Sequence, residues 1–184
     1  SHEHGDHAQS VSDLMRVGVD VYASAGTFRA LGVEGHHRAK VIAAKRQFWI
    51  GTWTVLPFDT VHDAEEPLGF LLASGREKLL YLTDTAYCRF RFNGLTHLMV
   101  EANYSAEILR RNVAEGRLHV AHKNRVLRNH MSIERLIDML KANDLSRVQE
   151  IHLIHLSDDN SDEAAFKRAV ERATGKPVYV APKR

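Results

Sequence analysis

The 184-residue chain contains a single cysteine, Cys88. That excludes an internal disulfide framework and any cysteine-built zinc cage, so a metal site here has to use histidines and carboxylates. No apolar stretch approaches the roughly 18 uncharged residues that a membrane span requires. Nor does a basic-then-apolar signal segment open the sequence, which therefore reads as soluble and unexported, with the cytosol as the default compartment. Only four prolines and eleven glycines are present, and they mark no linker; repeats and low-complexity stretches are also lacking. The expectation is one domain over residues 1–184.

With 44% hydrophobic residues the chain can bury a real core. Its net charge of +2 hides an uneven distribution, because residues 110–128 carry six Lys/Arg against one acid, Glu115. Short apolar runs alternate with amphipathic stretches, the pattern of a layered α/β protein. Strands are predicted at Val17–Ala23, Phe48–Val55, Gly69–Ala73, Leu79–Leu82, His97–Val100, Ile151–His155 and Val178–Val180, and helices at Ala106–Asn112, Ser132–Ala142 and Asp162–Ala173. Ser132 is a good N-cap, which leaves His130 in the loop before its helix.

Histidine is abundant, at twelve residues. Ser1-His2-Glu3-His4-Gly5-Asp6-His7 opens the chain with a His-x-His-x-Asp-His run. In an extended segment His2, His4 and Asp6 share a side, while His7 follows a turn into a helix and points elsewhere. Imidazoles and a carboxylate converging within six residues suit zinc or a similar divalent ion, and splitting them between two ions permits a binuclear site. Further candidates stand one per strand end: His62 after Leu56–Val61, Asp84 after Leu79–Thr83, and His155 after His152–Ile154. Layered α/β folds collect their active-site groups where strands give way to loops.

In this order the motifs resemble the metallo-β-lactamase fold superfamily, and within it the phosphodiesterase and nuclease branches. The segments FDTVHDAEEPLGF, LYLTDTAY, MVEANYS, RVLRNHMS and IHLIHLSDDNS look like the YycJ (WalJ) type of DNA exonuclease. The Glu, His, then His-Leu-Ser succession is also similar to RNase Z and the β-CASP nucleases. The likeness implies a four-layer αβ/βα sandwich. It makes His2, His4 and His62 ligands of one metal, Asp6, His7 and His155 ligands of a second, and Asp84 the bridge. Zinc is the first choice for both ions and manganese the alternative, because ligand type does not separate them.

Glu101 and His130 match a family pair in which a carboxylate orients a histidine near the scissile phosphate; with Asp6 they form the expected catalytic set. Relatives mostly carry Gly before that histidine, where Asn129 stands here, a residue that tolerates unusual backbone angles. Lys123, Arg125 and Arg128 approach His130 and are expected to bind substrate phosphates, with Ser157 and Thr85 adding hydroxyl contacts near the metals. His36, His37, His97, His119, His122 and His152 match no motif and read as surface or packing residues, and Cys88 as a small apolar filler. Members of the superfamily normally open with two or more strands before the histidine loop. The resemblance therefore implies that such strands are missing from this chain and come from an upstream segment or a separate chain.

The implied function is a binuclear metal-dependent phosphodiesterase, a nuclease acting on DNA or RNA in a homodimer. The alternatives are hydrolysis of small phosphodiesters such as cyclic nucleotides, or a β-lactamase or lactonase activity on the same fold.

Overall fold

Leu80 and Leu82, Leu98 and Val100, and Ile151 and Leu153 are buried at alternate positions, which gives three neighbouring strands a common apolar face. The computed structural model describes residues 1–182. In chain order the elements are α1 (Gly5–Ala8), α2 (Val11–Arg16), β1 (Val21–Ala23), α3 (Ala25–Ala30), β2 (Ala39–Val41), β3 (Phe48–Ile50), β4 (Trp53–Asp59), β5 (Leu68–Ser74), β6 (Glu77–Leu82), β7 (His97–Glu101), α4 (Ala106–Ala114), α5 (Val120–Asn129), α6 (Ile133–Lys141), β8 (Glu150–Ile154), α7 (Glu163–Thr174) and β9 (Val178–Val180). Strands β3 to β9 form a seven-stranded sheet in sequential order, while β1 and β2 pair in parallel by themselves.

Strands β3 to β6 pair antiparallel and β6 to β9 parallel. As a result β4, β6, β7 and β8 all run the same way and deliver their carboxyl ends to one edge of the sheet. Helices α6 and α7 cover the apolar face. Ser132 caps α6 by accepting from the Arg135 N–H, and Ile133, Leu136, Met139 and Leu140 are buried from it. Asp162 caps α7 in the same way, and Phe166 and Val170 reach the same core. The opposite face is less covered, with Trp53, Leu79 and Met99 lining an apolar groove of about 380 Å³.

Two predicted boundaries are corrected and one helix is added. The run Phe48–Val55 is not one strand but the start of a hairpin: Gly51, at φ +57°, turns the chain between Ile50 and Trp53. Residues 17–20 do not begin a strand, because Val17 closes α2 and Gly18, at φ +91°, turns it. Helix α5, unforeseen, occupies the basic stretch, with the His119 ring accepting from the Ala121 N–H at its start.

Candidate metal centre

The opening histidines reach the strand-end edge because the chain start is pinned there. Leu68 N–H donates to the Ser1 carbonyl at the start of β5 (2.9 Å), and Glu65 N–H to the Glu3 carboxylate (2.8 Å). The run is not extended throughout, as the alternation argument expected. The His4 carbonyl accepts from both His7 and Ala8 N–H groups, so α1 starts at Gly5 and carries Asp6 and His7 round with it. His7 consequently does not point elsewhere: its ring lies 4.3 Å, centroid to centroid, from that of His2.

Asp84 stands two residues past β6 in the left-handed region, at φ +47°, and Thr83 Oγ1 donates to its Oδ2 (2.8 Å). His62 lies three residues past β4 in a loop tied to the Asp84 loop, since Thr85 Oγ1 accepts from Val61 N–H and the Val61 carbonyl from Ala86 N–H (both 2.9 Å). His62 Nδ1 donates to the Asn129 carbonyl (3.0 Å), which leaves the Nε2 lone pair facing His4 Nδ1 at 3.2 Å. His155 follows β8, also left-handed at φ +55°.

Two triads result, His2–His4–His62 and Asp6–His7–His155, each with its ligand atoms within 4.8 Å of one another. Asp84 stands between them. Its Oδ2 is 2.9 Å from His7 Nε2, and its Oδ1 lies 3.7 Å from His62 Nε2 and 3.6 Å from His155 Nδ1, so the carboxylate adjoins both triads. The buried Nε2 atom of His2 has no hydrogen-bond partner, an arrangement that is costly for a polar atom unless a cation takes the lone pair. The donor set therefore fits divalent metal.

The charge states of His2, His62 and Asp84 agree with this, whereas a metal has to displace a proton from His155. Burial, with His7 adding to it, lowers the His2 pKa to about 3, so the ring is neutral and free to coordinate. Burial likewise lowers His62. For Asp84, burial acts upward, but hydrogen bonding to His7 and the charge of His155 prevail and hold the carboxylate below its usual range. Burial acts to lower His155, yet its hydrogen bond to Glu101 and the nearby Asp84 raise it to about 9.

Glu101, at the end of β7, is fully buried. Its Oε1 accepts from His130 Nδ1 (2.7 Å) and His155 Nδ1 (3.0 Å), and its Oε2 from the backbone N–H groups of Thr85 and Met131 (both 3.1 Å). His130 follows the last residue of α5 and is about four-fifths buried. Beside the centre a cleft of about 590 Å³ opens between Asp6, His7 and His155 on one wall and Asp158 and Pro182 on the other.

Residues 1–156 match the family described as the Beta-lactamase superfamily domain. The chain belongs to the β-lactamase superfamily. It is 29% identical over 175 residues to the exodeoxyribonuclease WalJ of Streptococcus pneumoniae, covering 88% of this chain and 63% of that protein. To the exodeoxyribonuclease YycJ of Bacillus anthracis it is 27% identical over 187 residues, covering 94% and 68%. This β-lactamase-superfamily chain thus spans somewhat less than two thirds of the length of WalJ. Its fold is that of the metallo-β-lactamase fold protein YhfI from Bacillus subtilis, with a TM-score of 0.72 at 16% identity, over 98% of this chain and 72% of the other. A metallo hydrolase from Ignicoccus hospitalis superposes with a TM-score of 0.66 at 15% identity, over 98% and 73%.

The expected substrate residues divide. Arg125 reaches the rim of the centre through Asp63, whose Oδ2 is 3.2 Å from Arg125 Nε and whose Oδ1 is 3.4 Å from His62 Nε2. Arg128 shares its face of α5, whereas Lys123, two residues earlier, is turned away by helical geometry. Ser157 Oγ accepts from the backbone and side chain of Asn160, and Thr85 Oγ1 donates to the Tyr87 carbonyl, so both hydroxyls hold loops together. Asn129 closes α5 without a positive φ, so the tolerance invoked for it is not used. Among the described residues the six remaining histidines join no ligand grouping, and Cys88 packs half-buried against the core. Sequence reasoning missed Asp63 and Asn103. The second was accessible: two residues beyond Glu101, it falls on the same side of an extended segment.

Proposed function

We propose that this domain hydrolyses phosphodiesters as the catalytic part of a nuclease, with DNA ends as substrate and two divalent ions as cofactor. In this reading His2, His4 and His62 hold one ion, Asp6, His7 and His155 the other, and Asp84 both. The observation that carries it is the two triads meeting at the carboxylate of Asp84, with His130 anchored beside them. Zinc suits the His-rich donors; manganese is the alternative. When bound, such a pair lowers the pKa of a shared water toward neutrality and stabilises charge on the attacked phosphorus centre.

The chain's own residues do the rest. Glu101 accepts a hydrogen bond from His130 Nδ1, which fixes the ring and leaves Nε2 free to carry a proton to a phosphoryl oxygen or the leaving alkoxide. Arg125 and Arg128 offer guanidinium groups to backbone phosphates. DNA is preferred over RNA because the relatives named above are exodeoxyribonucleases. A cytosolic homodimer completes the reading.

The test uses the metal-loaded protein on end-labelled oligonucleotides, cyclic nucleotides, bis-aryl phosphates and lactams. Oligonucleotide cleavage is expected to lead, and His130→Ala to lower it about 10²–10⁴-fold with metal content unchanged. A preference for cyclic nucleotides, or lactam opening without phosphodiester cleavage, overturns the nuclease assignment. Parental turnover by the His130 variant overturns the role given to that ring.

A further inference from the structure

Four N–H donors converge on the carboxylate of Glu101, two on each oxygen, and only one pair belongs to the backbone. His130 takes the shorter of the two ring contacts, but His155 donates to the same Oε1 at 3.0 Å. A second group holds His155 from behind. Asn103 Nδ2 donates to its carbonyl (2.9 Å), while Asn103 accepts from Ser157 N–H and donates its own N–H to the Met131 carbonyl. His155 is one of three non-glycine residues at positive φ among those described, a conformation that persists only where its surroundings enforce it.

We propose that Glu101 and Asn103 are positioning residues for His155, the carboxylate setting its ring and the amide its left-handed backbone, so that the grip on one ion depends on this pair. The inference rests on the reading of His155 as a ligand. With the Nδ1 proton committed to Glu101, the Nε2 lone pair is the one that faces Asp6, at 3.4 Å from Oδ2. Glutamine cannot replace this carboxylate faithfully. Whichever way its amide is turned, an NH₂ group meets two N–H donors.

The experiment compares the parent with Glu101→Gln, Asn103→Ala, His130→Ala and His155→Ala. Each is loaded with Zn²⁺ or Co²⁺ and titrated with chelator, and metal content and the Co²⁺ visible spectrum are followed, with thermal unfolding as a check on folding. Glu101→Gln and Asn103→Ala are expected to release one ion at about 10- to 100-fold lower chelator concentration, to alter the spectrum of that ion alone, and to keep the other at parental affinity. His130→Ala is expected to keep both. Should Glu101→Gln fail to fold, Asn103→Ala decides. The proposal is overturned if both variants hold two ions like the parent while His155→Ala loses one, or if both ions weaken together, which marks a loosened fold instead. Retention of both ions by His155→Ala removes the ligand reading itself, a separate failure.

Discussion

Asp84 and His155 are two of the three non-glycine residues in the left-handed region among those described, and both stand at the meeting point of the triads. Asp and His tolerate that region better than β-branched residues, and here each is also held, Asp84 by Thr83 and His155 by Asn103. Their charge states make the metal-free protein pH-sensitive with a definite sign. His155, raised to about 9, is protonated in the folded chain and neutral in the unfolded chain between 6.5 and 9; its contribution is complete below 6.5 and lost as pH rises through 9. His2, lowered to about 3, acts oppositely: between 3 and 6.5 the unfolded chain binds the proton and the folded chain does not, so stability rises with pH. Thermal unfolding in chelator should therefore peak near pH 6.5, and saturating zinc should abolish the decline above it, because a ligating His155 is neutral. A melting temperature that climbs steadily to pH 9 in chelator contradicts these assignments.

At the scale of elements, the site is built where strands of common direction end, and much of that was legible. Short apolar runs located β5 to β9 to within a few positions, and the placing of His62, Asp84 and His155 just past such runs singled them out as candidates that the fold then brings together. The Gly51 reversal was not legible, because Trp49, Ile50 and Trp53 stay apolar through the turn and hide it. Helix α5 escaped for the opposite reason: its apolar residues, Val120 and Ala121 at the start and Val126 and Leu127 near the end, are too few to show a period within a basic run. Its helical form changes what the basic residues can do, since it sets Arg125 and Arg128 on one face and Lys123 on another. Binding of single-stranded DNA, measured against salt, should lose slope when Arg125 and Arg128 are both changed to Ala, by about 0.7 for each phosphate contact removed, and hardly change for Lys123→Ala. Equal effects from all three positions would mean diffuse attraction by the helix as a whole.

For the whole molecule, the decisive contacts join residues far apart in sequence. Asp6 meets His155 across 149 positions, and His62 meets Asn129 across 67. No local pattern encodes such pairings; the order of motifs shared with the metallo-β-lactamase fold pointed to them, and the parallel sheet supplies the physical means. Asp63 stayed hidden because neither residue type nor spacing marks a group that acts through a neighbour, whereas Asn103 could have been read from its place two residues beyond Glu101. Diffraction from zinc-loaded crystals at the metal's absorption edge addresses the centre directly. Two anomalous peaks are predicted, each about 2.0–2.2 Å from its ligand atoms, one among His2, His4 and His62, the other among Asp6, His7 and His155, with Asp84 touching both. A single peak among Asp84, Glu101, His130 and His155, which also lie close enough to one another to share an ion, would contradict the account.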